Sequence, residues 1–531
     1  MKLKKNVTLD KLRGGFYTPS TIADFILSWA INGDKHSRIL EPSCGDGSFL
    51  KSLKKGKYDF DSITAIEYDK EEADKAQKID VNNKEIIVGD FHRYCNSTKD
   101  RYDIVIGNPP YIRYQYFDKF QQQEAIKIFN RNGISYSKLL NSWGAFVVGC
   151  TELLKEHGKL GFVLPSEILQ VINARVIREF LLKEFNKISI VSFKKLVFEK
   201  IQQDVILLLC EKGKENSHIE FLEVENDACL KNIDLGKLKN PSKKIYTSEK
   251  WTRYFLDQEE LDFLHKIENC KKISMLGDFA KVEVGITTGS NEFFTVTDNT
   301  VKKYHLEKYA KPLLGRSVQI KGCNFTFDDL LENKKNNAKA NLLLFSESKK
   351  IKDKNVLDYL SYGVTQGVSS GYKCKIRNEW QIIPAPSISD AFFSRRNSLS
   401  AKFVLNECGA YSTDTMHRVW IKDNVQAKSL IVSYYNSITF CFVELAGRTF
   451  GGGALELMPS EVENLYIPYN ESNNILFDTL NQMIRESRSI EKIIDFMDEE
   501  ILIKKLKFSR SDVEIAKKIR NKLSQRRLNK K

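Results

Sequence analysis

No two cysteines of the 531-residue chain stand in a CxxC pair, and none lies in a cluster with histidines. That argues against both a zinc-ribbon site and a disulfide framework. The ten cysteines are scattered at positions such as Cys44, Cys95, Cys150 and Cys210, and read as small buried hydrophobes. No stretch approaches the roughly 20 consecutive apolar residues of a membrane span. The N-terminal MKLKKNVTLD has lysine pairs with no apolar segment behind them, so no secretory leader is expected and a cytoplasmic location is. The chain also lacks a GxxxxGK[ST] phosphate loop, an internal repeat and any low-complexity tract.

What is present is ordinary in bulk and uneven in distribution. Hydrophobic content of 42% and a charged fraction of 29% are those of a globular protein. The length calls for roughly three domains. The net charge of +14 is concentrated: residues 501–531 hold twelve Lys or Arg against Asp512 and Glu514, leaving only +4 for the first 500 residues. Such a basic end is either a phosphate-contacting segment or a solvated, partly disordered one.

From about residue 38 to 210, short apolar runs (RILEP, SITAIEYD, EIIVGD, YDIVIGNPP, KLGFVLP, DVILLLC) alternate with helical or loop stretches, which predicts βαβ units and a mostly parallel, doubly wound sheet. STIADFILSWAI reads as a helix with Ile22, Ile26 and Trp29 on one face, capped by Thr18 or Ser20. WGAFVVGCTELLKEHGKLGFVLP reads as a buried helix ending near His157 and Gly158, followed by a strand to Leu164. Four segments are expected: an α/β domain over 1–212, a polar connecting region over 213–274, an irregular Gly- and aromatic-containing domain over 275–470, and a helical, basic region over 471–531.

The stretch DIVIGNPPYIRY ends a strand buried on both faces abruptly at Asn108. Pro109 and Pro110 stiffen the exit because neither donates a backbone hydrogen bond and each favours extended geometry before it. On these residues alone, a ligand-facing loop at a strand's carboxyl end and a plain Pro-rich turn are equally good accounts. ILEPSCGDGSFL tilts the balance. Gly45 and Gly47 allow a tight turn against a ligand, while Glu41 and Asp46 would repel a pyrophosphate, so an adenosine cofactor carrying positive charge fits better. The next strand ends at Glu67, placed to accept from ribose hydroxyls, and the one after it ends at Asp90 and Phe91, placed to accept from an adenine amine and to cover its ring. Three successive strand ends describe one nucleoside pocket.

The set GGFYTP (residues 14–19), ILEPSCGDGSF, AIEYD, GDF and NPPY resembles the S-adenosylmethionine-dependent N6-adenine DNA methyltransferases, in the order of their gamma class. The resemblance implies a Rossmann-like catalytic domain, a mixed α/β target-recognition domain over 275–470, double-stranded DNA as substrate and S-adenosylmethionine as cofactor, with no metal. It places Tyr17, Thr18, Glu41, Ser43, Cys44, Gly45 and Gly47 at the methionine end of the cofactor, Glu67 on its ribose, and Asp90 and Phe91 on its adenine. The Asn108 side chain and the Pro109 carbonyl would accept from the target amine, Pro110 would border the cofactor, and Tyr111 and Phe198 would stack on a base flipped out of the duplex. An exocyclic adenine amine is a poor nucleophile, and two acceptors pulling on its hydrogens return electron density to nitrogen. Asn108 would therefore act by polarisation and positioning, not as a base.

Recognition would fall to GITTGSNEFF, to Lys373, Lys375, Arg377 and Trp380, and to the SRRN of residues 394–397, whose cations serve base edges or phosphates. Gly451, Gly452 and Gly453 read as a flexible loop or a close approach to DNA. The resemblance further implies a restriction-modification role, the chain acting as a monomer on DNA beside a separate nuclease. Only 13 residues precede GGFYTP and no proline is followed by aspartate, so no fused nuclease is expected. Rival readings are transfer to RNA adenine or to a protein glutamine amide, and an idle DNA-binding specificity subunit.

Overall fold

The computed structural model describes residues 17–32, 36–112, 117–135, 141–198, 203–213, 217–233, 250–347, 350–384, 386–450 and 453–529. Readings placed on residues 14–16, 113–114, 199–202, 239–244 and 451–452 lie outside them. The chain forms two compact units, Met1–Gln258 with two short later pieces (Phe450–Gly452 and Leu528–Lys531), and Glu259–Thr449 with Gly453–Arg527.

The first unit is built on an eight-stranded sheet: β1 (Arg38–Glu41), β2 (Ser62–Glu67), β3 (Lys84–Val88), β4 (Tyr102–Gly107), β5 (Leu154–Pro165), β6 (Phe185–Phe193), β7 (Val205–Lys212) and β8 (His218–Val224). The strands lie in the order β3-β2-β1-β4-β5-β7-β6-β8. All neighbours are parallel except β7, which runs against both β5 and β6. Flanking it are α1 (Ser20–Ile31), α2 (Ser48–Gly56), α3 (Lys70–Gln77), α4 (Phe91–Ser97), α5 (Lys119–Arg131), α6 (Trp143–Leu153) and α7 (Arg175–Glu184).

Alternation along β1 and β4 shows why these runs are apolar throughout. Ile39, Ile104 and Ile106 pack with Ile22, Ile26, Phe49 and Leu50 on one face. Leu40 and Val105 pack with Phe91, Ile128, Trp143 and Phe146 on the other. A strand covered on both faces has no solvent side to make polar, which removes the period-two pattern. Each side chain so buried contributes about 1.5–3 kcal/mol.

Several local expectations change. Helix α1 has Pro19 at its N-cap and no side-chain cap, so neither Thr18 nor Ser20 caps it. Helix α6 stops at Leu153, and the chain enters β5 at once. The pairing of β4 with β5 skips from Tyr102–Leu154 to Ile104–Lys159, and His157 there takes a left-handed φ of 62°. The polar EHG turn is thus a bulge inside the strand instead of a helix end. Strand β6 was not anticipated. Strand β8 and the turn Asp227–Asn232 fall within the stretch read as a connecting region, and both belong to the first unit.

The second unit holds a five-stranded mixed sheet of Ala280–Val284, Met416–Ile421, Ala391–Ser394, Phe403–Asn406 and Asn324–Phe325, in that spatial order, together with smaller sheets. The basic C-terminal region folds onto this unit. Arg510–Leu528 is a helix whose cations meet internal acids: Lys522 pairs with the buried Glu260 at 2.8 Å and Arg520 with Glu491 at 3.4 Å, while the helix's own Asp512 takes Lys266 at 2.6 Å. Much of the apparent polyanion-binding charge is therefore matched within the fold. All ten cysteines are free and seven are buried. Among the described residues no single helix is long and apolar enough to cross a membrane.

Candidate active site

Strand order reverses at β1, because β2 and β3 continue to one side while β4 lies on the other. Pairing of Ile39 with Ile104 and Leu40 with Val105 sets the carboxyl ends of β1 and β4 side by side. The Glu41–Gly47 turn and the Asn108–Tyr111 loop therefore open into the same crevice, where open α/β sheets bind ligands. The Ser43 hydroxyl donates to the Asn108 carbonyl at 3.4 Å.

The β1 turn is shaped for close approach. Gly47 has a φ of 84°, and a Cβ there would meet Ile79 at 2.4 Å. Gly45 has a φ of 52°, and a Cβ on it, as on Gly89 at the end of β3, would meet nothing within 4 Å. Open space thus lies beside both turns. Glu41 is 1% exposed, and its Oε2 has no hydrogen-bond partner among the described residues. Burial first, then Glu67 and Asp46, push its carboxyl well above the usual range. Asp46 is neutralised by Lys51 at 2.6 Å, so Glu41 is the acid of this turn that a cation would satisfy. The Cys44 thiol is driven far up by burial and is inert, which leaves Cys44 a packing role.

The other cofactor candidates are already engaged with protein. The two Glu67 oxygens accept from the Gly45 and Asp69 amides, each at 2.8 Å. Asp90 caps α4, accepting from the Arg93 backbone amide at 2.9 Å, and its second oxygen accepts from Gln121 Nε2 at 2.9 Å. Burial raises the Asp90 carboxyl, but these bonds and His92 outweigh it and hold the group below its ordinary value. Phe91 is core, stacked on Phe146 at 4.8 Å. Tyr17 is 57% exposed and donates to Glu72 at 3.2 Å, while Thr18 is buried. Gln121 and His92 were missed by sequence reasoning, since neither stands in a motif.

At β4, Pro109 is buried and Pro110 half-buried. Tyr111 is turned inward: its hydroxyl lies 2.6 Å from Asn108 Oδ1 and 3.1 Å from the Val163 carbonyl. The tyrosine expected to face a base is in this form packed against the core, where burial pushes its phenol up. Phe198, bridged to Gln203, packs against the same apolar cluster. Asn108 and Tyr111 are thus brought together, with Tyr111 on the acceptor that the resemblance reserves for substrate.

In the second unit the recognition candidates separate. Arg377 donates to the Thr287 and Thr288 carbonyls at 3.0 and 2.9 Å, and Trp380 packs on Phe293, so both hold the GITTGS loop. Arg395 and Arg396 both pair with Glu456. Lys373 and Lys375 are exposed beside the exposed Tyr372 and Ile376.

The family model of the Eco57I restriction-modification methylase matches residues 22–198, and that of the C-terminal domain of the Type II methyltransferase M.Eco57I matches residues 248–502. The Type II methyltransferase M.AccI of Acinetobacter calcoaceticus is 23% identical over 485 residues, 86% of each chain. M.HincII of Haemophilus influenzae is 29% identical over 227 residues, 42% of each chain. Among solved structures, that of the DrdV–DNA complex has a TM-score of 0.51 at 13% identity, covering 90% of this chain and 57% of that one, a likeness of fold. With the methylase and C-terminal models matched in order along one chain, the protein belongs to the DNA methyltransferases of restriction-modification systems, whose methyl donor is S-adenosylmethionine.

Proposed function

We propose that the protein transfers a methyl group to N6 of a flipped-out adenine in a specific DNA sequence, as the modification component of its system. One observation carries this reading: the Asn108-Pro-Pro-Tyr tip stands beside the turn after β1, which holds a buried carboxylate with one oxygen lacking a partner among the described residues and Gly45 with open space next to it. S-adenosylmethionine held there supplies an electrophilic sulfonium methyl. Glu41 and the Gly45–Gly47 turn would hold its charged end, with Glu67 and Asp90 towards ribose and adenine. Asn108 Oδ1 and the Pro109 carbonyl would accept both amine hydrogens of the target and polarise its nitrogen. For that, the Tyr111 hydroxyl leaves Asn108, and its ring, with Phe198, covers the base and excludes water. Incubation with labelled cofactor and unmethylated genomic DNA, digestion to nucleosides and mass spectrometry is expected to give N6-methyldeoxyadenosine. Label only in cytosine, RNA or protein would overturn the reading.

Two further results are expected. Glu41 has a folded-state pKa above its unfolded value, so the stability it contributes is present at low pH and lost as pH rises through the folded value. Above that value the cofactor-free protein carries a buried charge on Glu41. Glu41→Gln is expected to gain in Tm relative to the unaltered cofactor-free protein as pH rises and to weaken S-adenosylmethionine binding by about tenfold, opposite signs for one substitution. Calorimetric titration and thermal melts on the same samples check it; unchanged affinity counts against Glu41 as a cofactor ligand. Exchanging Lys373 and Lys375 together for alanine is expected to lower the salt dependence of DNA binding by about two units of slope, about 0.9 for each phosphate no longer neutralised, without changing the site methylated.

A further inference from the structure

Ser142 occupies the N-cap position of α6, where a serine hydroxyl ordinarily accepts from an amide of the first turn. Here it makes no capping bond. Its Oγ donates instead to the Pro110 carbonyl and accepts from the Ile112 amide at 3.0 Å, and its own amide donates to the Ile112 carbonyl at 3.0 Å. Ser142 is 2% exposed. Three bonds from one buried residue thus grip the backbone on both sides of Tyr111, while its hydroxyl gives up the helix end behind it. A residue serving the helix would bond forward; this one bonds across 30 residues of chain to the loop that presents Asn108.

We propose that Ser142 is a positioning residue for methyl transfer, holding the Asn108–Tyr111 loop so that Asn108 Oδ1 and the Pro109 carbonyl meet the target amine together. This rests on the reading of that loop as the transfer site. The hydroxyl suits the task because it is satisfied as donor and acceptor at once, so the loop is held with no polar atom of the clamp left over. With the clamp removed, the Pro110 carbonyl and the Ile112 amide lose partners and the loop gains freedom around Tyr111. A displacement on the order of 1 Å at a reacting centre costs about 10²-fold in rate. Cofactor affinity should be spared, because Glu41, Gly45, Glu67 and Asp90 take none of their observed bonds from Ser142.

The test compares Ser142→Ala, Ser142→Thr and Ser142→Cys with the unaltered full-length protein, using tritiated S-adenosylmethionine and unmethylated genomic DNA. Single-turnover transfer is expected to fall about 30- to 100-fold in Ser142→Ala, with dissociation constants for S-adenosylmethionine and DNA unchanged within about twofold. Ser142→Thr, which keeps the hydroxyl, is expected to recover most of the rate. Should Ser142→Ala fold poorly, the remaining pair decides: a thiol is a weak donor on a longer bond, so Ser142→Cys is expected well below Ser142→Thr. Equal rates in the cysteine and threonine variants, or an alanine variant losing rate and cofactor affinity in proportion, would overturn the proposal. Failure of the unaltered protein to methylate DNA would defeat the underlying reading instead, so the two outcomes are distinct.

Discussion

Asn108→Ala is expected to reduce methyl transfer to DNA by about 10²- to 10³-fold while S-adenosylmethionine binding stays within about twofold of the unaltered protein. The magnitude is that of deleting one preorganised polar group aimed at the reacting atom. The binding half of the expectation follows from the separation of parts: Glu41 and the glycine turn belong to β1 and Glu67 to β2, whereas Asn108 ends β4. A structural side effect is expected as well, because Asn108 Oδ1 accepts from the Tyr111 hydroxyl. Tyr111→Phe removes that bond but keeps the ring, and serves as the control. Transfer by Asn108→Ala at more than a tenth of the normal rate, measured in a single turnover, would sink the assignment of Asn108 as the amine acceptor.

The largest expected effect on stability lies in the second unit. Arg527 is 2% exposed and meets Glu444 bidentately, its Nε and Nη2 each 2.8 Å from a carboxylate oxygen, while its Nη1 donates to the Ser398 and Gly453 carbonyls. Removing one partner of a buried pair leaves the other charge without compensation, which costs about 3–5 kcal/mol. Arg527→Ala and Glu444→Ala are each expected to lower stability by that order in urea, and the double variant by less than their sum. Losses below about 1 kcal/mol, or additive losses, would show that the pair is not coupled in solution. The last helix is thus a structural part of its unit, and the +10 charge of residues 501–531 is a poor guide to how much of it faces DNA.

How much of this was legible in the chain depends on the range of the interaction concerned. The strand runs ending at Glu41, Glu67 and Asn108 could be read because double burial imposes an apolar composition over a few residues, a local signature, and the partly exposed edge strand before Asp90 because its EIIV run is apolar all the same. Strand β6 was not read, because FNKISIVSF is interrupted by polar residues. The end of α6 was misplaced because the EHG turn looks like a helix terminus, and only pairing with β4 makes it a bulge. The recognition cations were read by type alone, and type does not separate Arg377, held by carbonyls, from the exposed Lys373 and Lys375.

By itself, the sequence determined the parallel α/β unit, the order of its cofactor and NPPY motifs and the residue types of the site, because strand burial, glycine turns and proline stiffness act over a few residues. Tertiary structure alone decided that β1 and β4 are neighbours, that Glu41 Oε2 has no partner among the described residues while Glu67 and Asp90 have theirs, that Tyr111 rests on Asn108, and that Ser142 grips the loop from α6. The pairing of β1 with β4 and the grip of Ser142 join segments far apart in the chain, and the bond between Tyr111 and Asn108, though local, depends on what packs around it. Hydrogen-bond satisfaction and burial are properties of what surrounds a group, and neighbours in the chain do not specify them.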